Sequence, residues 1–415
     1  MKTRICRWTC WLCIVWLIFL ALPAPAAQGA PPRERILILI SMDGFRWDYP
    51  HKFHPTNLNR LAAEGVQAKR LIPAFPSLTF PNHHTIATGL WPGHHGIINN
   101  SFYDPAFATN FHVFNKTSPT EGRWWGGEPI WVTAIKQGRV ANCMFWPGVG
   151  AEIGGVRPTE FETFRKEATP DECVDIVLNW LKQPAEKRPS FATLYFYHTD
   201  TVGHRAGPNS PELAATVAQV DSAIGRLVDG ISRLRLEAVA NLVIVSDHGM
   251  TEISTNRLIV LSDFVDLEKV QVDFSGALAG LRPLDGDVEA LYASFASRQK
   301  HFHVYRREKM PKRYHFRDNG RIPPVVLVAD EGWYISKRPV SDQRARSFDK
   351  ATHGYDPRLA SMGATFIAYG PAFQRGVTIA PVENIHVYNL LCATLGLTPA
   401  PNDGDDRLVR KVLAR

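Results

Sequence analysis

Residues 35–44 read Arg-Ile-Leu-Ile-Leu-Ile-Ser-Met-Asp-Gly, an apolar run that stops at an aspartate and a glycine. Two other apolar runs end in the same way: 191–197 leads to Asp200 and His204, and 241–246 leads to Asp247-His248-Gly249. Helix-like stretches at 56–64, 171–182 and 212–236 separate such runs, with further strand candidates at 140–145 and 364–369 and a final helix-like stretch at 382–395. Short, fully apolar strands between longer amphipathic stretches predict an α/β fold, a mainly parallel sheet flanked by helices on both faces. In such folds functional residues collect on loops at the carboxyl ends of the strands. The stretch 252–350 breaks the rhythm. It is rich in Arg, Lys, Asp and Pro, with short apolar runs at 325–328 and 333–335, and reads as an inserted small α+β subdomain. No fixed-period repeat is present, which argues against a solenoid.

The 415 residues are 45% hydrophobic and 21% charged, a globular composition that excludes disordered, collagenous and multi-span membrane classes. Lys2, Arg4 and Arg7 precede an apolar run at 8–22 that ends in Pro23-Ala24-Pro25-Ala26-Ala27. This is the pattern of a secretory signal peptide over 1–26, leaving 27–415 as a domain that is secreted or periplasmic. The run is shorter than the roughly 20 residues that span a bilayer, so no stable membrane span is expected in the mature chain; a retained N-terminal anchor is the alternative. Losing those three cations from a formal charge of +7 leaves about +4, too weak a bias to imply a nucleic-acid partner. Cys143, Cys173 and Cys392 remain after cleavage. Three thiols cannot all pair and no two are close in sequence, which argues against a thiolate metal site; a Cys143–Cys173 bridge stays open beside the favoured reading, buried free thiols.

The chemistry gathers at the predicted strand ends. Asp43, His204 and His248 adjoin Gly44, Gly203 and Gly249, with Asp200 and Asp247 close by, and His353-Gly354 repeats the pairing beyond the insertion. Three Asp and three His are oxygen and imidazole donors that suit zinc, and six suffice for two ions. Asp200 and His204 are spaced i, i+4, so one helical turn directs both at one ion. Three carboxylates against two divalent cations leave one net positive charge, which attracts an anionic phosphate ester. A candidate nucleophile, Thr79, lies in Phe75-Pro76-Ser77-Leu78-Thr79-Phe80-Pro81-Asn82-His83-His84. The competing reading makes Thr79 the cap of a helix over 80–88. The two are compatible, since a hydroxyl at a helix N-terminus sits where the dipole favours an anion and where a metal can hold it as alkoxide.

Met42-Asp43-Gly44-Phe45-Arg46, Thr79-Phe80-Pro81-Asn82-His83, Gly89-Leu90-Trp91-Pro92, His95-Gly96-Ile97, Asp200-x-x-x-His204, Asp247-His248-Gly249-Met250 and His353-Gly354-Tyr355 occur in one order along the chain. That ordered set resembles the nucleotide pyrophosphatase/phosphodiesterases of the alkaline phosphatase superfamily, over nearly the whole of 27–415. The resemblance implies a two-zinc enzyme with Thr79 as nucleophile. Asp43, Asp247 and His248 resemble the ligands of the zinc that also holds and activates Thr79; Asp200, His204 and His353 resemble the second zinc site. Asn100 matches the asparagine that steadies a phosphoryl oxygen, and a phosphothreonine intermediate is implied. Phe80, and Phe164 where other members carry tyrosine, resemble a nucleobase slot; the alternative is that both are core residues. Substrates implied are small nucleotides or other phosphodiesters. Related phosphomonoesterases carry a Lys-x-Arg-Gly run after the strand corresponding to 140–145, whereas 152–158 here reads Glu-Ile-Gly-Gly-Val-Arg-Pro. A diesterase is therefore expected, with the direction of Arg157 left open. A metal phosphomonoesterase is one alternative. Another is a lipid-headgroup phosphodiesterase using Trp124, Trp125 and Trp131 around a quaternary ammonium.

Overall fold

The run that opens the fold is the strand Ile36–Met42, buried at every position. Its side chains alternate between two hydrophobic clusters, Leu37 and Leu39 on one side and Ile36, Ile38, Ile40 and Met42 on the other. Both faces are covered, which is why the run tolerates no polar alternation. The strands Phe191–Phe196 and Ala240–Val245 pair with it in parallel, one on each edge. The computed structural model describes residues 35–414; the expected signal peptide lies outside the described residues.

The full sheet has eight strands in the order Val377–Ile379, Val66–Ala68, Phe366–Tyr369, Ala240–Val245, Ile36–Met42, Phe191–Phe196, Ala141–Met144, Glu160–Glu162. Phe366–Tyr369 runs antiparallel to both neighbours and every other pairing is parallel. Helices Thr56–Glu64, Pro170–Leu181 and Pro211–Arg233 cover one face through residues such as Leu58, Val174, Val220 and Ile224. Thr79–Thr88, Ile130–Lys136 and Val387–Leu395 cover the other through Ile86, Trp131 and Leu390. The helix of 170–181 starts at a capping box in which Thr169 and Glu172 satisfy each other's backbone N–H. The mainly parallel sheet between two helical layers is the architecture expected from the apolar runs. One element differs: within 382–395 only Val387–Leu395 is α-helical, because Val382–Glu383 pairs in parallel with Leu71–Ile72 instead.

The chain leaves the sheet region at Thr251–Glu252 and returns at Ala351–Thr352, and these two short strands pair antiparallel. Between them a four-stranded antiparallel sheet forms in the order Val270–Phe274, Leu278–Pro283, Val325–Ala329, Phe302–Arg306, with the helix Val288–Ala296 packed on it. Ala279, Leu281, Val325 and Leu327 face a separate cluster, while Phe274, Leu278, Val326 and Val328 belong to a main-body cluster. Period-two alternation thus divides this small sheet between its own core and the body. Arg321 pins it further. Its guanidinium donates to Asp104 Oδ2 at 2.7 Å and to the carbonyls of Gly96 at 2.9 Å and Trp124 at 2.7 Å, and lies over the Phe102 and Trp124 rings.

Cys143, Cys173 and Cys392 are buried and free. Cys143 packs into one cluster and Cys173 into the other, on opposite faces of the sheet, so the bridge between them is not formed. Trp124, Trp125 and Trp131 are all core residues, at most 4% exposed, which removes the quaternary-ammonium box considered for them. Among the described residues no helix is long and apolar enough to cross a membrane.

Behind the helix Thr79–Thr88, His84 and His95 are fully buried with rings 4.8 Å apart. His84 Nε2–H donates to Gly126 O at 2.8 Å, while its Nδ1 has no partner. Burial pulls its pKa down to about 4, because a second ring proton would find no acceptor. Unfolded, the same histidine titrates near 6.5, so between pH 6.5 and 4 the unfolded chain binds more protons than the native one. Stability is therefore expected to fall as pH drops through that window. Melting curves of wild type and His84→Gln from pH 7.5 to 4 should show the wild type losing Tm more steeply below pH 6.5; parallel curves would contradict this.

Candidate functional site

Asp43 follows the strand Ile36–Met42, and Asp247 with His248 follow Ala240–Val245, so the two adjacent parallel strands deliver them to one edge. Gly44 turns the chain at a φ of 65°, and a Cβ there would lie 3.0 Å from the Asp200 backbone; the position needs glycine twice over. Asp200 and His204 sit on the helix His198–Ala206 that follows the strand Phe191–Phe196. Its i, i+4 geometry puts Asp200 Oδ1 3.4 Å from His204 Nε2. His353 enters from the return strand Ala351–Thr352, its Nε2 3.5 Å from Asp200 Oδ1. Thr79 is the first residue of the helix Thr79–Thr88. The N-cap position belongs to Leu78 and carries no side-chain cap, which corrects the reading of Thr79 as the cap. The Thr79 hydroxyl faces His248 Nε2 at 3.3 Å instead.

Hydrogen bonds account for one oxygen of Asp43 and of Asp247 and for Nδ1 of each histidine. Tyr195 donates its hydroxyl proton to Asp43 Oδ2, and Gly44 N donates to Asp247 Oδ1 at 3.1 Å. Asp43 Oδ1, Asp247 Oδ2 and Asp200 Oδ1 are buried without a partner. The histidines are fixed in the complementary way. His204, His248 and His353 donate Nδ1–H to the carbonyls of Ala351, Gly249 and Ser77 at 2.8, 2.9 and 2.9 Å, which turns each Nε2 lone pair inward. Asp43 Oδ1, Asp247 Oδ2, His248 Nε2 and the Thr79 hydroxyl then form one set, with His248 Nε2 3.4 and 3.0 Å from the two carboxylate oxygens. Asp200 Oδ1, His204 Nε2 and His353 Nε2 form a second, and the His248 and His353 rings stack at 3.5 Å between them. Lone pairs facing lone pairs in a buried site call for cations, and N/O donor sets of this size fit divalent zinc.

His83 lies equally near, its Nδ1 3.4 Å from Asp247 Oδ2. Both of its ring nitrogens are spent: Nδ1–H donates to Thr79 O at 2.8 Å and Nε2 accepts from the Ser41 hydroxyl at 2.8 Å. It braces the Thr79 turn against the central strand and is not available to an ion.

Protons alone balance these charges unevenly. Burial, reinforced by Asp247 and Asp200, pushes Asp43 well above the usual carboxylate range. Burial opposes ionisation of Asp200 too, but the charges of His204 and His353 outweigh it and hold it at about 2. His204 rises to about 9 against its burial, because Asp200 sits beside it, and His353 falls to about 3 through burial and the charge of His248.

Asn100 Oδ1 accepts from Phe80 N at 3.0 Å, satisfying a free donor of the helix's first turn and leaving its NH2 as a donor. Phe80 is half-buried, 6.0 Å from the Trp125 ring and 6.2 Å from Phe111. Phe164 is 44% exposed and so is no core residue; it stands edge-on to Tyr197 at 5.1 Å and 6.5 Å from Tyr195. Arg157 donates to Gly150 O and lies 3.6 Å from Glu152, which settles its direction. Sequence reasoning did not single out Tyr195 or Ser41 and left His83 as a motif member without a role. The i, i+4 spacing of Thr79 and His83 was the one signal available.

Residues 37–356 match the type I phosphodiesterase / nucleotide pyrophosphatase family. The chain is 40% identical over 382 residues to venom phosphodiesterase CdcPDE of Crotalus durissus collilineatus, covering 89% of this chain and 45% of that protein. It is 37% identical over 393 residues to the Homo sapiens ectonucleotide pyrophosphatase/phosphodiesterase family member 1, covering 92% and 41%. It thus spans less than half the length of these relatives. Among solved structures, murine ectonucleotide pyrophosphatase/phosphodiesterase 5 superposes with a TM-score of 0.86 at 32% identity, covering 92% of this chain and all of that one. An inactive threonine-to-alanine variant of that murine protein, in complex with AMP, superposes equally well. The chain belongs to the type I phosphodiesterase / nucleotide pyrophosphatase family of the alkaline phosphatase superfamily.

Proposed function

We propose that this is an exported two-zinc phosphodiesterase and nucleotide pyrophosphatase that releases nucleoside 5′-monophosphates through a phosphothreonine intermediate. In this reading 1–26 is a signal peptide and 27–415 the catalytic domain, with an inserted subdomain at about 252–350. The observation that carries it is the convergence of Asp43 Oδ1, Asp247 Oδ2 and the hydroxyl of Thr79, the first residue of a helix, on His248 Nε2. Asp43, Asp247, His248 and Thr79 would hold one zinc, and Asp200, His204 and His353 the other. When bound, the ions supply Lewis acidity that lowers the Thr79 pKa and neutralises charge developing on the phosphoryl and leaving-group oxygens.

The chain's own residues do the rest. Thr79 Oγ1 gives up its proton to solvent and attacks phosphorus, the bond to the leaving oxygen breaks and that oxygen takes up a proton, and water later cleaves the phosphothreonine and restores the Thr79 hydroxyl. The helix beginning at Thr79 directs its N-terminal dipole at the charge that develops there. Asn100, held by its oxygen to Phe80 N, turns its NH2 toward a phosphoryl oxygen. A base between Phe80 and the exposed Phe164 aligns the α-phosphorus with Thr79; the AMP complex of the murine relative supports a nucleoside monophosphate as the product held there. Arg157 is committed to Gly150 and Glu152, so it is not a cation aimed at a dianionic monoester, and this favours the diester.

Purified protein is expected to carry close to two zinc ions and to lose activity on chelation. Thr79→Ala should lower kcat by orders of magnitude with metal content nearly unchanged, while Thr79→Ser keeps a measurable rate. Full activity in the alanine variant, measured per folded molecule on a nitrophenyl diester, would remove Thr79 from the mechanism.

Base stacking contributes about 1–3 kcal/mol, so Phe164→Ala should cut the preference for a nucleotide over an alkyl nitrophenyl diester by roughly one to two orders of magnitude. The alkyl diester, which has no base, should be nearly unaffected. Equal slowing of both would place the slot elsewhere, and faster turnover of a nitrophenyl monoester than of the diester would make the enzyme a phosphomonoesterase.

A further inference from the structure

We infer that Tyr195 is a positioning residue that decides which oxygen of Asp43 reaches the metal, and so holds that site to single-oxygen carboxylate ligation. The inference rests on the two-ion reading above and names a residue to which that reading gives no role. Tyr195 is the penultimate residue of the strand Phe191–Phe196, in register with Ser41 on the central strand and 7% exposed. Its hydroxyl donates to Asp43 Oδ2.

The backbone of Asp43 is clamped at both ends: its N–H donates to Phe196 O at 2.8 Å, and its carbonyl accepts from the Thr199 hydroxyl. What is left to fix is the rotation of the carboxylate, and the Tyr195 hydroxyl fixes it. With Oδ2 engaged below, only the unpartnered Oδ1 points toward His248 Nε2. Asp247 is treated alike, Oδ1 held by Gly44 N and Oδ2 bare, but its donor is a backbone amide that no side-chain substitution can delete. Asp43 depends on one hydroxyl.

The chemical consequence concerns the ion. One oxygen from each carboxylate, one imidazole and one hydroxyl make four donors, the number zinc takes in a tetrahedral site. Carboxylates free to bind through both oxygens suit larger coordination numbers, as calcium requires. The Tyr195 ring is separately held, edge-on to His83 at 5.0 Å and 6.5 Å from Phe164, so phenylalanine can fill its place without the hydroxyl.

The experiment compares wild type with Tyr195→Phe, each stripped and reloaded with cobalt(II), whose visible absorption is strong in four-coordinate sites and weak in higher ones. The variant should show weaker, shifted bands for one of its two ions. Its zinc affinity at that site, from chelator competition, should fall roughly 10- to 100-fold, with the second site unchanged. A variant with the wild-type spectrum and zinc affinity would overturn the inference, as would one that only melts earlier while its spectrum per folded molecule stays the same. Failure of the wild type itself to take up cobalt or zinc would overturn the two-ion reading and this inference together.

Discussion

Three crowded carboxylates, Asp43 and Asp247 buried and Asp200 half-buried, dominate this molecule. Asp43, Asp200 and Asp247 meet where neighbouring strands end, and like charges removed from water repel far more strongly than at a surface. The surroundings answer that repulsion atom by atom. A phenol holds one oxygen of Asp43, a backbone amide one of Asp247, and three imidazoles tethered through Nδ1 turn Nε2 toward the oxygens left over. The glycine at 44 exists because the Asp200 backbone must come this close. Such an arrangement is poor as a purely structural device and sound as a seat for cations.

The parallel sheet makes this possible at small conformational cost. Strands entering from one side all exit on the other, so residues far apart in sequence reach a common edge without any loop spanning the molecule. Helix Thr79–Thr88 adds the hydroxyl from the layer above, and His83, bonded to Ser41 and to the Thr79 carbonyl, couples that helix to the central strand. The Thr79 hydroxyl and the acids are thereby referenced to one rigid element.

The parts legible in the sequence were those whose signal is local. Ile36–Met42 declares itself because a strand covered on both faces has no polar alternation, and the aspartates after each run stand out against it. The three-residue strands Val66–Ala68, Glu160–Glu162 and Val377–Ile379 did not, since three residues are too few to show a period and each is set by the partner it meets. The same held at the site. Residues that are candidate ligands belong to a small set of types, whereas Tyr195 looks like any strand aromatic until Asp43 is seen across the sheet. The tryptophans illustrate the converse: their composition suggested a ligand box, and only packing showed that Trp124 and Trp131 have no face left to offer.

The pairing of Thr251–Glu252 with Ala351–Thr352 bears on when the centre can exist. Ribosomal synthesis delivers six of the seven site residues, all three acids among them, before residue 252, yet His353 arrives only after the whole intervening segment has been made. Because it directly follows the closing ladder, docking of that segment and arrival of the last imidazole are one event. A growing chain therefore holds its three acids without their last imidazole until that segment is complete.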